Sequence, residues 1–190
     1  MPLPRLRPII AAVGLRNTPT RYGYAGQLLH WLVVAGIIAS YFTAEGSESD
    51  NDALMALHRS LGITILVLAV LRVAWRLLDR SPDFPAAMAR WQRTAARGAH
   101  AILYALLFAL PLTGWLLSSV EGDPVVLFGW LTLPPLPSGA DEDLLEEVHE
   151  ALFNVLLAVA VLHAAAALKH HFWDRDGVLR SMLPGRGGPA

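Results

Sequence analysis

The chain has 190 residues, of which 54% are hydrophobic and 16% are charged, and its formal net charge is −1. Soluble domains are about 45–50% apolar and about 25% charged, so this composition disfavours a soluble globular domain. It also excludes a basic nucleic-acid-binding protein and a disordered acidic chain. Because the sequence has no cysteine, carboxylates or the 7 histidines must hold any metal.

Four apolar segments follow one another along the chain, at residues 24–44, 53–78, 98–120 and 148–168. Each is long enough to cross a hydrocarbon core of about 30 Å at a rise of about 1.5 Å per residue. They predict an all-α fold, an integral membrane four-helix bundle that forms one domain over residues 24–172. Residues 1–23 are expected to be an uncleaved cytoplasmic leader, because their apolar run is too short for a signal peptide. Residues 173–190 are expected to be a cytoplasmic tail.

The charges are divided between the two ends of the predicted bundle. Every Lys and Arg except Arg59 lies before the first segment, around the second connection or after the fourth segment. The first and third connections carry most of the acidic residues. The positive-inside rule therefore predicts that the basic end and both termini are cytoplasmic.

The connection between the third and fourth segments is long and carries aromatic residues. Phe128 and Trp130, followed by several prolines, predict an interfacial flap that rests on the bundle. Asn51 and the acidic residues beside it are candidate N-caps for the second helix. Pro111 and Gly114 predict a kink in the third helix.

Histidines inside membrane segments indicate function, because an ionisable side chain is costly there. His30 and His163 lie at similar depths from the basic end, and His58 and His149 from the acidic end. His149 and His163 are 14 residues apart, which places them on one helix face about 21 Å apart. Two level pairs predict two b-type haems with bis-histidine ligation. Hydrogen bonding between helices is the alternative, and a zinc or copper site would need three or four ligands at one level.

Other polar residues near the basic end are weaker candidates for cofactor contacts. Arg72 lies near the depth of the inner histidines, where it could pair with a haem propionate or snorkel to the interface. His100 is expected to be shallower, as a substitute ligand, a contact for quinone or propionate, or an interfacial residue. His170 and His171 are explained equally well by interfacial anchoring or by function.

With these residues the chain resembles the bacterial cytochrome b561 family, whose members are four-helix dihaem membrane cytochromes related to hydrogenase cytochrome b subunits. The resemblance runs from residue 21 to 184 and is carried by "LLHWLVV", "LHRSLGITILVLAVLR", "HAILYALLFALPLTGW", "VHEAL" and "LHAAAALKHHFW". It implies that His30, His58, His149 and His163 are the iron ligands of two non-covalent b haems. It also implies a location in the bacterial cytoplasmic membrane.

The resemblance implies respiratory electron transfer to or from ubiquinone, as a quinone-linked oxidoreductase. Some family members oxidise superoxide at the outer face, but an anion is drawn by positive potential and the outer connections here are acidic. The alternatives are a cytochrome b subunit for a partner dehydrogenase or hydrogenase, a histidine-based proton or cation transporter, and a structural membrane subunit. Membrane lipid and quinone are the expected partners, a redox protein or a second copy in a homodimer stays open, and no nucleic acid is expected.

Overall fold

A computed structural model describes residues 14–47 and 51–184. Its four long helices are α1 (Tyr24–Ser47), α2 (Asp52–Leu78), α3 (Arg90–Val120) and α4 (Glu142–Lys169). All four are long and apolar enough to cross a membrane. The predicted all-α fold with four membrane helices is therefore confirmed. Arg5 and Arg7 of the expected leader and Arg186 of the expected tail lie outside the described residues.

Polar caps define where two of the helices begin. Asn51 caps α2, its side chain accepting a hydrogen bond from the Leu54 backbone, and Asp141 caps α4 by accepting from the Leu144 backbone. The helix α3 continues through Pro111. Both α3 and α4 begin earlier than their apolar segments, because their first turns are amphipathic and charged and therefore add little hydropathy.

The four helices pack as two hairpins, α1 along α2 and α3 along α4, and α2 joins the hairpins by packing on α3. A small apolar cluster forms the centre of the bundle, with Val33 of α1, Ile65 and Ala69 of α2 and Leu107 of α3. Large apolar side chains also cover the outside, as at Leu162, which is 70% exposed. Such a surface suits contact with lipid, since soluble proteins rarely expose extended apolar areas.

Two short strands lie between α3 and α4, β1 (Val126–Leu127) and β2 (Leu131–Thr132). They pair antiparallel, with Val126 opposite Thr132 and Leu127 opposite Leu131. β1 packs on α2, so the connection lies against the bundle at its acidic end.

After α4 the chain forms a π-helical turn (His170–Asp174) and a short helix, α5 (Val178–Met182), which lies within the segment predicted to be a tail. Hydrogen bonds from α1 and from the residue Tyr22 before it hold α5 against the bundle. The Tyr22 backbone and the Gln27 amide donate to the Ser181 carbonyl at 3.2 and 3.1 Å. The Trp31 indole donates to the Met182 carbonyl at 3.0 Å. The basic end is thus closed by hydrogen bonds that no hydropathy pattern predicts.

Candidate cofactor site

The four histidines selected by depth come together as the two expected pairs. The acidic-end pair joins His58 of α2 to His149 of α4, with ring centroids 6.3 Å apart and ring planes at 78°. The basic-end pair joins His30 of α1 to His163 of α4, with centroids 6.5 Å apart and planes at 73°. Both pairs therefore connect the first helical hairpin to the second, at two levels of α4.

Hydrogen bonds orient the His58 ring and select its tautomer. Its Nδ1 lies 2.9 Å from the backbone carbonyl oxygen of Ser40. A carbonyl can only accept, so Nδ1 donates the hydrogen bond, and in that tautomer of the imidazole Nε2 has the free lone pair. A metal-binding histidine is oriented in the same way.

The ring of His149 is held by an equivalent arrangement from α3. The Thr113 hydroxyl donates to the Leu110 carbonyl at 2.9 Å, so its oxygen can accept from Nδ1 of His149, which lies 3.2 Å away. Nε2 of His149 is then also the nitrogen with a free lone pair. A Cβ atom on Gly114 would lie 2.9 Å from Cε1 of His149, so the ring occupies space that only a glycine leaves open.

His100 lies closer to the basic-end pair than the sequence indicates. Its ring centroid is 5.2 Å from that of His163, at an interplanar angle of 62°. The expectation that His100 lies at a shallower level than the basic-end pair is therefore wrong. The reason is that α3 begins at Arg90 and not near Gly98, so His100 lies well inside the helix.

Two arginines of α2 lie beyond the basic-end pair. The guanidinium carbons of Arg72 and Arg76 are each 5.9 Å from the centroid of the Tyr104 ring. Among the described residues, neither arginine forms an ion pair with a carboxylate. Both line a narrow cavity of about 20 Å³ together with Trp75, whose buried indole nitrogen has no hydrogen-bonding partner. Such a group of donors is suited to an anion such as a carboxylate.

His170 belongs to a separate polar cluster at the end of α4. Its Nδ1 lies 2.6 Å from an Asp176 oxygen and 3.1 Å from an Asp174 oxygen. The Lys169 ammonium contacts both Asp174 oxygens, at 2.6 and 2.8 Å. A metal ion would have to displace this ammonium and the short histidine–carboxylate hydrogen bond. The cluster therefore fits a clasp that closes the helix end better than a metal site.

The only basic residue that the sequence places at the acidic end is held by two carboxylates. Arg59 lies 3.1 Å from a Glu121 oxygen and 2.9 Å from an Asp123 oxygen, and its side chain is 20% exposed. Burial raises the pKa of the Glu121 carboxyl above its ordinary value, although Arg59 opposes the shift. The acidic end therefore presents no uncompensated positive charge among the described residues.

A four-helix membrane protein with paired histidines at two depths is the class defined by this fold and site. The sequence family described as prokaryotic cytochrome b561 matches residues 20–185, and the chain belongs to that family. "Cytochrome b561 homolog 2" of Escherichia coli (strain K12) is 35% identical over 180 residues, covering 88% of this chain and 93% of that protein. "Probable superoxide oxidase CybB" of Yersinia pestis is 30% identical over 165 residues, covering 84% of this chain and 94% of that protein. "Cytochrome b561 homolog 1" of the same E. coli strain is 28% identical over 173 residues, covering 87% of this chain and 98% of that protein.

Family membership makes the chain a b-type cytochrome, a haem-binding multi-pass membrane protein with an electron-transfer role. The paired histidines fit that cofactor. A metal–imidazole bond of about 2 Å, with the ring centroid about 1 Å behind the nitrogen, puts two axial imidazole centroids about 6 Å apart. The separations of 6.3 and 6.5 Å meet this requirement, whereas the 5.2 Å between His100 and His163 is too short.

Proposed function

We propose that the chain is a dihaem b-type cytochrome that exchanges electrons with the ubiquinone pool of the bacterial cytoplasmic membrane. The observation that carries the proposal is the presence of two histidine pairs with nearly equal ring separations, 6.3 and 6.5 Å. A bare metal site would bring three or four ligands together at one level, and the pairs lie at two levels. Two axial ligands at each level suit one haem apiece.

The proposed ligands are His58 with His149 and His30 with His163. Bound haem supplies one-electron redox chemistry at each level. With two histidines holding each haem iron, no position would be left for oxygen or another exogenous ligand, so each haem would serve as an electron carrier. Hydrogen bonds to Ser40 and Thr113 keep the proton on Nδ1 in the acidic-end pair, which leaves Nε2 to coordinate.

The two pairs together extend across most of the membrane. His149 and His163 are separated by about 21 Å along α4, compared with a hydrocarbon thickness of about 30 Å. This arrangement supports electron exchange between the two ends of the bundle. The positive-inside rule supports a cytoplasmic basic end, with both termini in the cytoplasm.

Residues near the basic-end pair are proposed to hold and surround the cofactor. Arg72 and Arg76, with the Trp75 indole between them in sequence, have the charge and the free donors to bind a propionate. His100 contacts the His163 ring from the side and is proposed as a positioning or quinone-contact residue.

Ubiquinone suits this molecule as a redox partner because it is neutral and lipid-soluble. It takes up two electrons and two protons to become the quinol, and the protein can deliver the electrons one at a time. A neutral partner that enters from the bilayer is unaffected by the acidic surface. In the opposite direction a quinol gives two electrons to the protein one at a time and releases two protons, and a quinol or another uncharged reductant is accordingly proposed as the donor at the acidic end.

Superoxide as the donor at the acidic end is the second candidate, and the name of the Yersinia pestis relative favours it. The electrostatics oppose it, because an anion is repelled by the carboxylates and Arg59 is already paired with two of them. A superoxide entry point would require Arg59 to be released from those partners.

One set of mixing experiments tests the proposal and separates the two donors. Purified protein in nanodiscs should contain about two b haems per chain by pyridine haemochrome assay. Under anaerobic conditions, a ubiquinol analogue should reduce the haem with almost no dependence on salt. Reduction by superoxide, if it occurs, should become faster as salt screens the carboxylates.

Three outcomes would overturn parts of this proposal. Fast reduction by superoxide that slows as salt rises would indicate a positive entry and favour the second candidate. No electron exchange with any quinone analogue would favour a cytochrome b subunit that serves a partner dehydrogenase or hydrogenase. A colourless preparation from haem-sufficient cells would favour a histidine-based transporter.

A further inference from the structure

The hairpin between α3 and α4 ends in a tip that has unusual backbone geometry. Its turn is closed by a hydrogen bond of 3.1 Å from the Trp130 backbone to the Leu127 carbonyl. Both central residues have positive φ, 47° at Phe128 and 85° at Gly129. Positive φ is ordinary for glycine but uncommon for a bulky aromatic residue. The chain thus places Phe128 at the tip despite the backbone strain.

The side chains of the tip are apolar and exposed. Trp130 is 86% exposed, Phe128 56% and Leu131 54%. No charged residue occurs between Asp123 and Asp141. An apolar tip on an uncharged connection is poorly suited to water, although the surrounding end of the bundle is strongly acidic.

A hydrogen bond sets the depth of the hairpin on α2. The Phe128 backbone donates to the hydroxyl of Ser60 at 3.1 Å, and Ser60 donates to the Ala56 carbonyl at 2.9 Å. Ser60 is almost completely buried and directly follows Arg59. After Arg59, α2 has no further charged residue until Arg72. The hairpin is therefore attached where the charged part of α2 gives way to its hydrocarbon-spanning part.

We propose that the tip formed by Phe128, Trp130 and Leu131 inserts into the lipid interface of the leaflet at the acidic end. Tryptophan and other aromatic side chains favour this region, and the attachment to Ser60 holds the tip at that depth. Lipid is favoured over a soluble partner because the tip lies at the boundary of the apolar span. The insertion would brace β1 against α2 near the acidic-end histidine pair.

The absence of cysteine allows the tip to be labelled selectively. In the Leu131→Cys variant the introduced cysteine is labelled with a nitroxide, and both aromatic residues of the tip stay in place. Ala140→Cys, an exposed position in the same connection, is the matched control. Collision rates with oxygen, which concentrates in lipid, and with a water-soluble nickel chelate are measured for both variants in nanodiscs.

At position 131 we expect the collision rate of the label with oxygen to exceed its collision rate with the nickel chelate several-fold. At position 140 we expect the collision rate with the nickel chelate to be the higher of the two. Adding Trp130→Glu to the Leu131→Cys variant should shift that label toward water while the haem content stays unchanged. Equal exposure to nickel at both labelled positions would overturn the proposal. Spin–spin broadening that disappears on dilution with unlabelled protein would assign the tip to a contact with a second copy and overturn it as well.

Discussion

Gly114→Ala should displace the ring of His149, the residue that α4 contributes to the acidic-end pair. The added Cβ would lie 2.9 Å from Cε1 and 3.4 Å from Nδ1 of His149. Ordinary contact begins near 3.4 Å, so the ring has to move by about half an ångström. The same movement would weaken the hydrogen bond to Thr113, which is already 3.2 Å long.

The two energetic effects of this substitution have opposite signs. Overpacking costs about 1–3 kcal/mol, whereas alanine in place of glycine favours a helix by about 1 kcal/mol. The net loss of folding stability should therefore be at most about 2 kcal/mol. Disturbing the support of a ligating histidine typically weakens metal binding by about 10–100-fold. The variant should thus fold and lose cofactor selectively.

Gly98→Ala in the same helix is the matched control, because a Cβ there meets no atom within 4 Å. Both variants are purified at equal expression, and the haem-to-protein ratio is measured by pyridine haemochrome assay with redox titration. The haem content of the Gly114→Ala variant should fall from about two haems per chain toward one. The haem content of the Gly98→Ala variant should match that of the parent. Full occupancy with unchanged midpoint potentials in Gly114→Ala would refute the placement of His149.

Three further predictions follow from the site. Thr113→Val removes the acceptor for Nδ1 of His149, so haem affinity at that level should fall about 10-fold or more, as measured by haem transfer to a scavenger protein. A raised pKa means that folded Glu121 binds its proton more tightly, so its contribution to stability should be lost as pH rises above the ordinary glutamate pKa of about 4.3, and the Tm of Glu121→Gln should fall less than that of the parent over the same pH range. His30→Ala should remove one haem and His100→Ala should not. The reverse result in haem content would reassign the ligand.

The sequence was sufficient to predict the helices and the histidine pairs. Hydropathy identifies membrane helices because lipid requires long apolar segments. Helical periodicity then places residues at known depths, so His149 and His163 could be assigned to one face and matched to partners. The ring pairing in the structure agrees with those depth matches.

Other features could not be predicted because their signals are local or depend on packing. Ser40 and Thr113 form hydrogen bonds to His58 and His149, but a single hydroxyl residue in an apolar helix usually bonds its own backbone. The one sequence signal that could have identified these two residues is the presence of a polar side chain near the depth of each histidine. The sequence predicted the wrong depth for His100 because the charged first turns of α3 have low hydropathy. The apolar segment therefore begins later than the helix does. The short elements β1, β2 and α5 depend on contacts with α1 and α2, and their own sequences are too short to show a period.

The topology links cofactor binding to the stability of the bundle. Helices α1 and α2 pack closely, as do α3 and α4, whereas α1 and α4 make sparse backbone contact in the described part of the chain. Each histidine pair joins one hairpin to the other, so ligation at either level would hold the hairpins together. A ligand at 1,000 times its Kd stabilises the folded state by about 4 kcal/mol, which corresponds to a rise in Tm of the order of 10 °C. We therefore expect the Tm of preparations with graded haem content to rise with occupancy. A Tm that is the same in haem-free and fully loaded protein would mean that the hairpins associate without the histidine bridges.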